Sequence, residues 1–229
     1  MEIDDPKIVA LREKVTAARQ EFDMAVTFHE VWKPAAYDQD LHSRLGKSYA
    51  SQAFLITRTA LRREMLLALM RMWDKTKQAL AIQSIADILR KDEVIDALAL
   101  DRANRLGWLE DIDEVRNDLR KRATEVDLLC NKYLKSGTHH AVFEKLLNLR
   151  HKRLAHRDLA PATATGANAT DEEIEEFYQD NSKLIRILLG VVNAMAYDPE
   201  DTAKVYRFYA RHFWGAFQKT DNKRAIVKC

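Results

Sequence analysis

Ile8, Leu11, Val15, Ala18, Phe22, Ala25, His29 and Trp32 recur at alternating steps of three and four, the spacing that lines one face of an α-helix. Asp5 is placed to cap this helix and Pro6 to open it. Pro34 predicts its end, because the residue before a proline is pushed out of the helical region. A second helix is predicted from about Lys47 to Gln78. Its segment MLLALMRMW is apolar on most sides, which places it at the centre of the molecule. Shorter helices follow over Ile82 to Arg90 and Asp92 to Leu106, the latter stopped by Gly107. A long helix then carries Ile112, Val115, Leu119, Val126, Leu129 and Tyr133 on its stripe and is closed by Gly137. The next begins near Thr138. After it, APATATGANA is the one stretch with loop composition. Thr170 and Glu173 have the spacing of a capping box, opening a helix with Ile174, Phe177, Leu184, Leu188, Val191 and Met195 inside. Asp198-Pro199 restarts a last helix carrying Val205, Phe208, Phe213 and Trp214.

Strand alternation is absent, and neither a repeat nor a dividing linker appears. The expected fold is therefore all-α: a single-domain bundle of long antiparallel helices over residues 1–229. Within it lie a motif region at 138–158, a flexible loop at 159–170 and a C-terminal tail at 219–229. Composition agrees. Six glycines and four prolines in 229 residues leave the elements long, and 47% apolar residues supply a core. The net charge of +2 does not announce a nucleic-acid binder, so any such function must rest on a local patch. Two cysteines, Cys130 and Cys229, make no disulfide framework, and MEIDDPKIVA does not read as a secretion leader. The apolar stretch ILLGVVNAMAY is interrupted by Asn193 and too short to span a bilayer. A soluble, cytoplasmic protein without membrane contact is expected.

One local patch stands out. LNLRHKRLAHRD, Leu147 to Asp158, holds Arg150, His151, Lys152, Arg153, His156 and Arg157 against one acid, Asp158. At about 100° per residue, Phe143, Leu146, Leu147 and Leu154 form a buried stripe, and Arg150 falls in its middle. A buried guanidinium needs a carboxylate, a symmetry mate or an anionic ligand. His156 lies six residues on, roughly 120° around and about 9 Å along. The two side chains point apart on one straight helix, so they converge only if the helix breaks near Ala155 or a second copy supplies its own pair across a two-fold axis. The pairing has a chemical logic. A histidine moves a proton near neutrality, and an arginine clamps a phosphate and stabilises developing charge. Metal-independent RNA cleavage needs those two roles, since the substrate 2′-hydroxyl is the nucleophile. On spacing alone, an arginine and a histidine six apart in a basic helix are more often a solvated helix end.

RHKRLAH resembles the signature of the HEPN superfamily: an arginine, a polar residue, a short spacer and a histidine near the end of a helix in an α-helical bundle. NLRHKRLAHRD, with the earlier ALMRMWDKTKQALAIQSIADIL, is most similar to its AbiU-like abortive-infection branch, over most of the chain. The resemblance implies a homodimeric, metal-independent endoribonuclease without a cofactor, acting in phage defence or toxin–antitoxin-like growth arrest. Arg150 and His156 would be catalytic. His151, Lys152, Arg153 and Arg157 would bind the RNA substrate. His151 stands where the family often has Asn or Asp. Asp158 stands where some members carry a tyrosine used by a regulatory partner, so that form of control is not implied, although an antitoxin or other regulatory partner is. A catalytically inactive helical dimer binding RNA or protein is the alternative.

Other features rank lower. His139 and His140 diverge by about 100° as helical neighbours and are not expected to meet an acid or cysteine one turn on, so no metal site is expected. His29, on an apolar stripe, reads as a satisfied core histidine. Asp111 to Glu114, DIDE, reads as an ordinary acidic first turn. The aromatics of YRFYARHFWGAF have the spacing of a core or dimer interface before that of a base-stacking surface. Cys130, beside a buried stripe, reads as an inert thiol.

Overall fold

A computed structural model describes residues 6–46, 50–74, 82–149 and 169–216. The protein is all-α. In chain order the helices are α1 (Pro6–Tyr37), α2 (Gln39–Leu45), α3 (Ala50–Met72), α4 (Ile82–Leu89), α5 (Asp92–Leu106), α6 (Ile112–Tyr133), α7 (His140–Asn148), α8 (Asp171–Leu188) and α9 (Pro199–Gly215). A short 3-10 turn, Leu109–Asp111, precedes α6, and a π turn, Leu189–Asn193, extends α8. No strand occurs among the described residues, and none of their helices is long and apolar enough to cross a membrane.

The predicted α1 stripe is buried from Ile8 to Trp32. Polar pairs fix the directions of its neighbours. Arg71 near the end of α3 holds Glu21 at 2.8 Å, while Phe54 near its start packs in one cluster with Ala35, so α3 runs antiparallel to α1. Glu175 early in α8 reaches His29, and Val192 just beyond α8 accepts from Arg12, so α8 is antiparallel to α1 as well. Lys132–Glu176 and Lys183–Glu125 set α6 antiparallel to α8. MLLALMRMW lies in the core as expected, with Met65, Leu66, Ala68, Leu69, Met70, Met72 and Trp73 buried.

Several expectations are corrected. Helix α1 does not stop before Pro34 but continues to Tyr37. Proline inside a helix costs about 3 kcal/mol. Burial of Ala35 and Ala36 offsets part of that, and the Trp214 indole donates to the Val31 carbonyl at 2.8 Å near the interrupted turn. Helix α2, absent from the sequence reading, is capped by Asp38, whose side chain accepts from the Leu41 amide at 3.0 Å. Helix α3 ends at Met72 rather than Gln78, in a turn through Trp73 and Asp74. Helix α6 ends at Tyr133, before Gly137. Gly137 serves the following turn, where an added Cβ would fall on the carbonyl oxygens of Asn131 and Lys132. Met195 is 43% exposed, because the π turn and the left-handed Ala194 (φ 51°) break the helical phase before it. On α9 only Trp214 of the four apolar residues singled out is buried; Val205, Phe208 and Phe213 are exposed.

Other readings stand in the structure. Gly107 caps α5 in the left-handed region at φ 73°, and the Thr170/Glu173 capping box is formed in full. Asp198 caps α9 with Pro199 in its first turn. Asp113 and Glu114 lie in the first turn of α6.

Candidate functional site

Arg150, His151, Lys152, Arg153, His156 and Arg157 all lie outside the described residues, as do Leu154, Ala155 and Asp158. The structure instead defines the two helix ends between which that segment runs. Helix α7 delivers the chain at Leu149, whose amide bonds back to the carbonyls of Leu146 and Lys145. Its inner face, Val142, Phe143 and Leu146, is buried, and Leu147 and Leu149 pack partly against the core. The chain returns at buried Ala169 and at Thr170, the N-cap of α8.

One carboxylate ties these ends together. Glu173 accepts the Thr170 amide on one oxygen at 2.8 Å and binds the Lys145 ammonium on the other at 2.6 Å. Both partners favour its charged form, the Lys145 hydrogen bond most, and its pKa lies below the ordinary range. Glu173 therefore links the last turns of α7 to the start of α8, the two described elements that flank residues 150–168.

Beneath this junction sits an aromatic cluster. Trp73 meets Phe143 at 5.3 Å, Tyr133 at 5.7 Å and Phe177 at 5.8 Å between ring centroids. Its indole N–H donates to Asn181 Oδ1 at 2.8 Å, and the Asn181 amide donates to the Phe177 carbonyl at 2.7 Å. Buried polar groups are tolerated when matched in this way. The rings key α7 to α6, α8 and the turn that ends α3.

The first half of α8 is acidic, and each acid that faces the bundle is held. Asp171 binds Arg62 at 2.6 Å. Glu176 binds Lys132 at 2.7 Å and His139 at 3.1 Å. Asp180 takes Lys132 and the Tyr133 hydroxyl, both at 2.6 Å. Burial first, and then that hydrogen bond to Asp180, push the Tyr133 phenol far above its ordinary range. Contrary to expectation His140 does meet an acid one turn on, Glu144 at 3.6 Å, but this is a contact at the surface between neighbours on one helix. No group of three or more potential metal ligands occurs among the described residues.

Glu175 belongs to a deeper network. His29 is 1% exposed, with Nδ1 at 3.1 Å from Glu30 and Nε2 at 2.8 Å from Glu175, and its ring stacks on Tyr178 at 4.0 Å. Burial opposes the imidazolium, yet the hydrogen bonds to Glu175 and Glu30 outweigh it, and the net shift is upward. The His29 hydrogen bond in turn brings Glu175 down to about 2. Glu30 is anchored from α9 by Arg207 at 2.9 Å, and Arg207 also grips Glu200. The sequence marked His29 as a satisfied core residue, which it is, but carried no signal for partners so distant along the chain. Cys130 is buried, and burial raises its thiol pKa to about 12, as expected of an inert thiol.

The family model for HEPN_AbiU2, described as AbiU2, matches residues 8–213. This chain belongs to the AbiU2 family of HEPN domains. The match to AbiU2 runs through α1 to α9 and includes the whole Arg150–Arg157 segment. Neither the curated proteins nor the solved structures gave a match.

Proposed function

We propose that this HEPN protein is a metal-independent endoribonuclease that acts as a homodimer in abortive infection, as a phage-defence or toxin–antitoxin-like effector. What supports the reading is membership of the AbiU2 family across the stretch that carries the arginine–histidine motif.

In this reading the substrate 2′-hydroxyl attacks the adjacent phosphorus and the 5′-oxygen leaves. His156 transfers the proton as general base or acid, Arg150 binds the scissile phosphate and stabilises its charge, and His151, Lys152, Arg153 and Arg157 hold flanking phosphates. Purified protein incubated with RNA in EDTA is expected to cleave it, and His156→Ala to abolish cleavage. Absence of cleavage, or equal cleavage by both proteins, overturns the reading.

His151, in place of an amide or acid, favours a second reading, a binding dimer without chemistry. There Arg150→Ala lowers stability or self-association, while His156→Ala changes nothing.

A further inference from the structure

The first turns of α1, the end of α4 and the start of α5 line a cavity of about 350 Å³. Ile8, Leu11 and Val94 are buried and form its floor, with half-buried Ile88 and Ala97 beside them. That volume falls within the roughly 300–1,000 Å³ of small-molecule sites. Side chains normally close such a gap, because protein interiors pack densely. Here alanines stand at 10 and 97, where two larger apolar residues would fill it. Water over an apolar floor finds few polar partners, so an apolar group displaces it favourably.

The charged residues around the cavity select its ligand. Lys7, Lys14 and Lys91 line it against one carboxylate, Glu93. Neither Lys14 nor Lys91 has an ion-pair partner among the described residues. The acids next along the chain are engaged elsewhere: Asp87 holds Arg90 at 2.8 Å, Asp92 holds Arg120 at 2.7 Å and Asp96 holds Arg116 at 2.7 Å. Lys91 is also the N-cap of α5 and its side chain does not cap the helix, so the positive end of the dipole adds to the amines. An apolar floor under a net positive rim fits a molecule with an apolar tail and an anionic head. A cation is repelled there, and a bare anion leaves the floor wet.

We propose that this cavity binds a small amphipathic anion, a carboxylate on an apolar chain of medium length. The chain lies on Ile8, Leu11 and Val94, and the carboxylate sits among the three lysines. No residue of α7 or α8 lines the cavity, and the inference does not rest on the proposed chemistry.

Isothermal titration calorimetry of the full chain with decanoate tests this. Saturable binding at one site is expected, with a dissociation constant below about 1 mM and a negative heat-capacity change from apolar burial. Decanol, which lacks the charge, and acetate, which lacks the tail, each bind about fivefold more weakly or worse. Decyltrimethylammonium, of opposite charge, binds more weakly than decanol. Lys14→Glu and Lys91→Glu each raise the decanoate constant about threefold or more and leave that of decanol unchanged. Ala97→Leu fills the cavity and weakens both ligands. Ala10→Leu, at an exposed position, does the same should Ala97→Leu alter the far-UV circular dichroism. Absence of saturable binding, decanol as tight as decanoate, or decanoate affinity indifferent to the lysine or the alanine variants overturns the proposal. Binding to phosphatidylglycerol vesicles without binding of decanoate also overturns it, and makes the site a membrane surface. Heat of binding is read without cleavage, so an inactive protein that takes decanoate here refutes the proposed chemistry and leaves the site standing.

Discussion

His29 has carboxylates at both ring nitrogens and almost no solvent, so its charge and the helix contacts it makes are one energetic unit. Its folded pKa is raised above 6.5. Its contribution to stability is thus complete below the unfolded value and is lost as pH rises through the folded one. For Glu175, brought from 4.5 to about 2, the contribution is complete above 4.5 and is lost as pH falls towards about 2. The network is strongest between those limits. Denaturation of wild type and His29→Gln across pH is expected to show a stability difference that is largest below about pH 6.5 and shrinks on the alkaline side. Glu175→Gln is expected to cost on the order of 1–2 kcal/mol at neutral pH, discounted for the exposed third of that side chain, and to approach wild type in acid. A flat difference in either series contradicts the assignment.

Among the elements, the junction of α7 and α8 depends most on one short motif. The Thr170 hydroxyl takes the Glu173 amide at 3.2 Å while the Glu173 carboxylate returns to the Thr170 amide and holds Lys145. Thr170→Ala removes the cap and is expected to lower unfolding free energy by about 1 kcal/mol in chemical denaturation, with secondary structure unchanged. An effect indistinguishable from zero would mean that Lys145 alone positions Glu173. This motif was legible in the sequence because its parts lie within one turn. The caps Gly107 and Asp198 were legible for the same reason, as was the α1 stripe. The continuation through Pro34 was not: Ala35 beyond it is buried in a cluster with Ala210 and Trp214, far along the chain. Met195 was misplaced because periodicity assumes an unbroken helical phase, and the π turn at Leu189–Asn193 breaks it.

At the scale of the molecule, Glu173 joins the end of α7 to the start of α8, on either side of the motif-bearing stretch. Expression in bacteria is expected to arrest growth, and His156→Ala to relieve it. Equal growth of the two strains argues for the binding-only reading.

The sequence by itself determined the all-α class, several helix starts, the caps at Gly107, Thr170 and Asp198, and the arginine–histidine motif that leads to the AbiU2 family. These are written in separations of three, four and six residues, over which the geometry of a helix is fixed. Only the tertiary structure decided which partners His29 meets, that Glu173 ties α7 to α8, and that the aromatics of α9 form a second face turned away from the core. The reason is that helical spacing says which side chains share a face, not what that face meets. Glu175 reaches His29 across 146 positions of chain, and Arg207 reaches Glu30 across 177, because packing of α1, α8 and α9 brings them within hydrogen-bond range.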